Sequence, residues 1–147
     1  MIAASTRYFG KAVVAALSLA ALSACAMSPQ PAREFSDPAV QRLFNASIPE
    51  YYAALNIAGQ IAKTCPRYTY DSVLDLQVNE RRNVEGRGSR EAMTMSRGIE
   101  LETAVARRSF NARHGVDLDL GRGDLCAAAD AEAARQSAIA AVLVPTG

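Results

Sequence analysis

The sequence has no tryptophan and a single histidine, and aromatic residues make up only 6% of its 147 residues. One histidine and three cysteines without a Cys-X-X-Cys pair are too few ligands for a tetrahedral zinc site. The sequence has 16 basic and 15 acidic residues, so neither sign of charge is in large excess. A nucleic-acid-binding domain is normally strongly basic, so this balance argues against that class. Beyond the N-terminus no apolar run reaches about 18 residues, which excludes a multi-spanning membrane protein.

Catalytic motifs are also missing from the sequence. It contains no Walker loop, no glycine-rich dinucleotide fingerprint and no Gly-X-Ser-X-Gly elbow. His114 has no nucleophile at a motif spacing, and Glu100 and Glu102 fall on different faces of a helix. The segment 117–124 departs from a calcium-binding loop, because arginine stands where glycine is required. We therefore expect a non-enzymatic protein without a metal or cofactor.

The first 25 residues have the features of a targeting segment. Arg7 and Lys11 supply positive charge, and residues 12–22 form an apolar stretch of the usual length, which small residues follow. The sequence Leu22-Ser23-Ala24-Cys25 resembles the lipobox, the signal at which bacterial lipoproteins are cleaved and lipidated. The alternative is an ordinary secretory signal with a chance cysteine near its cleavage site.

The lipobox resemblance implies how the chain is processed and where it is located. It implies cleavage before Cys25, a diacylglyceryl group on the Cys25 thiol and acylation of the new N-terminus. Because two acyl chains already give stable anchoring, the mature chain would be held at a membrane that it does not span. Aspartate after the lipidated cysteine favours inner-membrane retention in Gram-negative bacteria. Since that residue is Ala26 here, the resemblance implies the periplasmic face of the outer membrane.

Cys65 and Cys126 remain after lipidation of the first cysteine, in a compartment that is kept oxidising. A bridge between them would close a loop of about 60 residues, for which the chain-entropy model gives about 4 kcal/mol of stabilisation. The functional alternatives are a metal pair and a redox couple. We predict a structural disulfide.

Proline and polar residues dominate the segment 26–36, which we interpret as a tether between the lipid and the domain. Asp37 and Pro38 then predict the start of a short helix that ends near Phe44. The predicted division of the chain is a signal peptide (1–24), the lipidated cysteine with the tether and short helix (25–46), and a helical domain (47–147).

Capping residues mark the starts of three longer helices. Ser47 and Glu50 have the spacing of a capping box, and Ser89 and Asp124 precede the other two helical patterns. Cys65 before Pro66 ends the first, since the residue before proline disfavours the helical conformation. The predicted helices run, approximately, over 47–65, 89–113 and 125–144.

The segment 69–84 has an ambiguous pattern. Leu74, Leu76 and Val78 alternate as in a strand, whereas a helix beginning at Thr69 or Asp71 also fits. We predict a helix, because no second segment of strand periodicity is present to pair with a strand. The fold predicted for the domain is therefore all-α, a compact bundle of about four helices.

Basic and aromatic side chains follow the first of the two remaining cysteines. Four arginines between positions 80 and 91 would form a basic face for an anionic lipid or an acidic partner. Three glutamates are interspersed among them, and we prefer a solvated mixed face. The candidate partner or ligand contacts are Arg67, Tyr68, Tyr70, Arg81 and Arg82.

Four features of the domain carry a further resemblance. They are the helix end at Cys65-Pro66, the long helix rich in arginine and glutamate, the Gly115-Val116-Asp117 turn and the helix start at Leu125-Cys126-Ala127. Over residues 50–143 the domain resembles small two-cysteine helical periplasmic proteins of alphaproteobacteria, a family that is known as a domain of unknown function. That family has no assigned activity, so the resemblance implies no catalytic residue.

Two functions are compatible with these features. The first is a lipid-anchored accessory or stabilising subunit that docks onto a protein or complex of the cell envelope. The second is a periplasmic binding module for a small anionic or amphipathic ligand, held by the tyrosines and by Arg67, Arg81 and Arg82. Both place the chain at a membrane through its lipid, and neither involves nucleic acid.

Overall fold

A computed structural model describes residues 31–90 and 97–147. The elements in this part of the chain are α1 (Pro38–Asn45), α2 (Ile48–Thr64), β1 (Tyr68–Tyr70), α3 (Ser72–Val84), α4 (Arg97–His114), α5 (Leu125–Ala134), a 3-10 helix (Ile139–Val142) and β2 (Leu143–Pro145). Among the described helices, none is long and apolar enough to cross a membrane. The predicted signal peptide and Cys25 lie outside the described residues.

Side-chain caps set the starts of the first helices and of α5. Asp37 caps α1, and Ser47 and Glu50 form the reciprocal capping box predicted for α2. Asp71 and Asp124 each accept a hydrogen bond from the backbone N–H three residues further on, at 2.9 and 2.8 Å. These caps confirm the predicted starts of α1, α2 and α5, and they place the start of α3 after Asp71.

Helix α2 runs through the centre of the hydrophobic core. Its buried side chains are Tyr51, Ala53, Ala54, Leu55, Ile57, Ala58 and Ile61. The same core includes Leu43 of α1, Leu74 of α3, Phe110 of α4 and Leu143 of β2. Helix α1, which the predicted division groups with the tether, thus belongs to the same core as the helical domain.

The short sheet corrects the all-α prediction. Tyr68, Thr69 and Tyr70 pair in antiparallel register with Pro145, Val144 and Leu143. The predicted helix 125–144 is wrong beyond Ala134, because Gln136 takes a left-handed conformation with φ 50° and the chain continues as a 3-10 helix and a strand. Three-residue strands are too short to produce a recognisable alternation, so the sequence did not reveal the partner for β1.

The structure describes the C-terminal part of the predicted long helix, from Arg97 onwards. Helix α4 ends at His114, as predicted, and Gly115 follows with φ 64°, a left-handed conformation that suits glycine. Thr103 and Phe110 lie on its buried face. Residues 91–96, which belong to the predicted helix, lie outside the described residues.

The predicted disulfide between Cys65 and Cys126 is confirmed, with 5.2 Å between the Cα atoms. Cys65 is the C-cap residue that directly follows α2, and Cys126 lies in the first turn of α5. The bridge therefore joins the end of the central helix to the start of α5.

Part of the predicted tether is held against the domain. The Ala32 N–H donates to the Asp71 carboxylate at 2.6 Å, and the Gln41 side chain donates to the Phe35 carbonyl at 2.6 Å. The Phe35 ring packs edge-on against Phe44, with 5.0 Å between the ring centroids. Ala32 and Phe35, which belong to the predicted tether, therefore contact the domain.

Candidate ligand-binding groove

A groove of about 540 Å³ lies between α1, α2, α4 and the segment that follows α5. Its volume is typical of sites that bind small molecules. The small and apolar side chains that line it are Ala46, Ala53, Ala54, Ile57, Ala106, Phe110, Ala138 and Ile139. An apolar concavity of this kind can bury the hydrocarbon part of a ligand.

Alanine at the facing positions of α2 and α4 explains why the space exists. Ala53, Ala54 and Ala106 line the groove with side chains that end at Cβ. Ile57 and Phe110 are the larger apolar residues from the same two helices, and Phe110 is buried. A leucine at any of the three alanine positions would project into the groove, so the groove depends on small residues there.

Two arginines and two glutamates supply the charges of the groove lining: Arg42, Arg113, Glu50 and Glu132. The Glu50 carboxylate is occupied by the α2 capping box, where the Ser47 N–H and hydroxyl donate to it at 3.0 and 2.8 Å. Arg42 donates to the Arg135 carbonyl at 2.7 Å, and no carboxylate of the described residues forms an ion pair with it.

Glu132 is a buried acid, with only 1% of its side chain exposed. Its Oε1 atom lies 2.7 Å from His114 Nε2, 3.4 Å from an Arg113 nitrogen and 3.7 Å from an Arg135 nitrogen. Burial by itself would raise the pKa of Glu132, but hydrogen bonds from Ser137 and His114 and the charges around it lower the pKa below 4.5. Glu132 is therefore a carboxylate at neutral pH, and His114 carries hydrogen on Nε2.

We expect Glu132 to make the stability of the domain sensitive to acid. Since its folded-state pKa lies below the ordinary value of 4.5, the carboxylate stabilises the fold above that pH and the stabilisation is lost as the pH falls through the folded-state pKa. The variant Glu132→Gln should be less stable by about 1–3 kcal/mol at neutral pH. Its free energy of unfolding should also fall less steeply than that of the unaltered protein as the pH is lowered below 4.5.

Guanidinium unfolding at several pH values measures this difference. Glu102→Gln, at an exposed position of α4, is the matched control and should follow the unaltered protein. Equal pH slopes for Glu132→Gln and the unaltered protein would contradict the role given to Glu132.

The contact residues predicted from the sequence lie outside this groove. Arg67 and Tyr68 both bind Asp130 of α5, each at 2.8 Å. These two contacts join the turn after α2 and the start of β1 to α5, a few residues from the disulfide. The Tyr68 side chain is largely buried, and burial and the neighbouring carboxylate raise its pKa.

The other three predicted contact residues are also engaged within the fold. The Tyr70 hydroxyl donates to Asp75 at 2.8 Å, and Tyr70 lines a second groove of about 460 Å³ beside α2. Arg81 pairs with Glu85 at 3.3 Å and stacks over the Phe35 ring at 4.1 Å from its centroid. Arg82 is fully buried. The five side chains are thus not brought together in one site.

The groove residues Arg42, Arg113 and Glu132 were not predicted as a site from the sequence. Arg42 and Arg113 stand near the ends of helices, where basic residues commonly interact with the helix dipole. Glu132 carries a stronger signal, since a glutamate in a helix built mainly of alanine must find partners if it is buried. The sequence pattern therefore points to Glu132 as an acid that needs partners, but it does not show which basic residues surround it.

No family model, curated protein or solved structure matches the chain. The resemblance to the alphaproteobacterial periplasmic family therefore stays a prediction, as do the lipobox and the location that it implies.

Proposed function

We propose that the chain is a lipid-anchored periplasmic protein of the outer membrane that binds a small ligand in the groove between α1, α2 and α4, without catalysis. The observation that carries this proposal is the groove of about 540 Å³, with an apolar lining and arginines among its polar residues. The lipobox supports the anchor and the location. Of the two functions that fit the sequence, this is the binding module, with a different set of binding residues.

The surroundings of the groove support binding over catalysis. The groove has one buried acid, Glu132, and its Oε1 atom is contacted by His114, Arg113 and Arg135. Because this acid stays ionised at neutral pH, it is suited to holding Arg113 and Arg135 in position and poorly suited to donating a proton to a substrate. The accessory-subunit function stays a prediction. The crosslinking experiment described next distinguishes it from ligand binding.

Site-specific photocrosslinking in the native host tests the proposal on the full chain. A photoreactive amino acid is placed at Asn45 or Ser109, which line the groove and are exposed, and at Glu102 as an exposed control on α4. We expect intact mass spectrometry to show a small adduct from the two groove positions and none from the control.

Two results would overturn the proposal. One is the absence of an adduct from both groove positions, and the other is the same adduct from Glu102. A protein-sized adduct from Glu102, with no small adduct from the groove, would favour the accessory subunit instead.

A further inference from the structure

We infer that the ligand of the groove is an amphipathic anion with a single apolar chain, whose carboxylate or phosphate binds Arg42 and Arg113 and whose chain lies on the apolar lining. This inference rests on the proposed function, since it names the class of ligand that the same groove binds. Three observations carry it: both acids are engaged within the fold, the charge of Arg42 has no carboxylate partner among the described residues, and the lining is largely apolar.

The acids of the groove are already occupied by partners within the fold. Glu50 accepts two hydrogen bonds from Ser47, and Glu132 is surrounded by His114, Arg113 and other donors. A cationic ligand would have to compete with these partners for the carboxylates. The groove therefore discriminates against cations.

The arginines, in contrast, retain the capacity to bind an anion. Arg42 is exposed, and its one described hydrogen bond goes to a neutral carbonyl. Arg113 has 49% of its side chain exposed and meets Glu132 through one nitrogen at 3.4 Å, which leaves its other donors available. A carboxylate or phosphate can accept charge-assisted hydrogen bonds from both guanidinium groups.

The apolar lining indicates what the rest of the ligand is. Ala53, Ala54 and Ala106 offer no polar side-chain atom, and Ile57 and Ile139 add hydrocarbon surface. A chain of methylene groups gains about 0.8 kcal/mol for each group that leaves water. A small inorganic anion would contact the arginines but would leave this surface uncovered.

Equilibrium dialysis with radiolabelled octanoate tests the inference on the full lipidated chain in phosphatidylcholine vesicles, with empty vesicles as the blank. We expect saturable binding that octyl phosphate displaces and that octanol, octylammonium and inorganic phosphate do not. Displacement by octyl phosphate separates recognition of the anionic charge from recognition of a carboxylate alone.

Variants locate the binding in the groove. Arg42→Gln and Arg113→Gln should each weaken octanoate binding about tenfold, the effect of losing one charge-assisted hydrogen bond. Arg108→Gln removes the same charge from an exposed position of α4 outside the groove and should bind as the unaltered protein does. Ser109→Phe places a ring at the exposed edge of the groove and should abolish binding.

The inference fails if octanol displaces octanoate as well as octyl phosphate does, or if Arg42→Gln leaves the affinity unchanged. Arg42 decides this point because its one described hydrogen bond goes to the backbone carbonyl of Arg135, so its replacement removes no hydrogen bond from the Glu132 carboxylate. If no octyl compound binds while photocrosslinks remain confined to Asn45 and Ser109, the ligand class is wrong and the proposed function stands. If the crosslinks fail as well, both are wrong.

Discussion

Replacing Arg82 by methionine is expected to lower the free energy of unfolding by about 3–5 kcal/mol, because the guanidinium group satisfies several backbone carbonyls inside the protein. It donates to the carbonyls of Phe44 and Ala46 at 2.6 and 2.8 Å and to those of Arg87 and Gly88 at 3.0 and 3.1 Å. The first two belong to the C-terminal end of α1, where helix carbonyls lack partners within the helix. Methionine fills a similar volume but donates no hydrogen bond.

The environment of Arg82 makes the cost specific to this side chain. Its guanidinium carbon lies 4.3 Å from the centroid of the Tyr51 ring, and burial lowers its pKa. Lysine would keep the charge but would lack the planar group that reaches several carbonyls at once, so Arg82→Lys should lose about half as much stability as Arg82→Met.

Arg81→Met is the matched control, since Arg81 is adjacent in the chain and 54% of its side chain is exposed. Its exposed ion pair with Glu85 and its contact with the Phe35 ring each contribute about 1 kcal/mol at most, so this variant should lose clearly less stability than Arg82→Met. Urea unfolding of the three variants measures the differences. Equal losses at positions 81 and 82 would show that Arg82 does not hold the end of α1 to the loop after α3.

Removing the disulfide is expected to cost about 4 kcal/mol. The bridge joins residues 61 positions apart, and it restricts the unfolded chain more than a short loop would. Cys65 is buried and takes part in the core, so the double variant Cys65→Ala/Cys126→Ala also loses some packing around α2. The guanidinium midpoint should fall by a corresponding amount when the unaltered protein is reduced.

The double variant supplies the control for this experiment, because a reductant has no bond to break in it. We expect its unfolding midpoint to be the same with and without reductant and to lie somewhat below that of the reduced unaltered protein, which keeps the packing of the Cys65 thiol. A midpoint of the unaltered protein that does not move on reduction would contradict a stabilising role for the bridge.

Local sequence signals predicted most of the helices correctly. Asp37, Ser47 and Asp124 are caps whose partners lie within three residues, so the pattern and the structure coincide. The end of α2 at Cys65 follows from the proline after it. The disulfide was predictable because only two cysteines remained once the first was assigned to lipid.

The sheet and the groove were not predictable in the same way. Strands β1 and β2 are three residues each and lie at distant positions in the chain, so neither has a periodicity of its own. Arg113 and Glu132 meet across two helices, and Arg82 reaches carbonyls 36 to 39 residues away. An arginine in a sequence does not indicate whether its partner is water, an acid or a helix end.

The sequence by itself determined where α1, α2 and α5 begin and where α2 and α4 end, because these depend on contacts within a few residues. It also indicated which cysteines pair, since the resemblance of residues 22–25 to a lipobox left only Cys65 and Cys126. The tertiary structure alone decided that Tyr68–Tyr70 is a strand, that Arg82 is buried and that Arg42 and Arg113 line one groove. Those outcomes depend on which helices pack together, and packing is settled by the free energy of the whole core rather than by any local pattern.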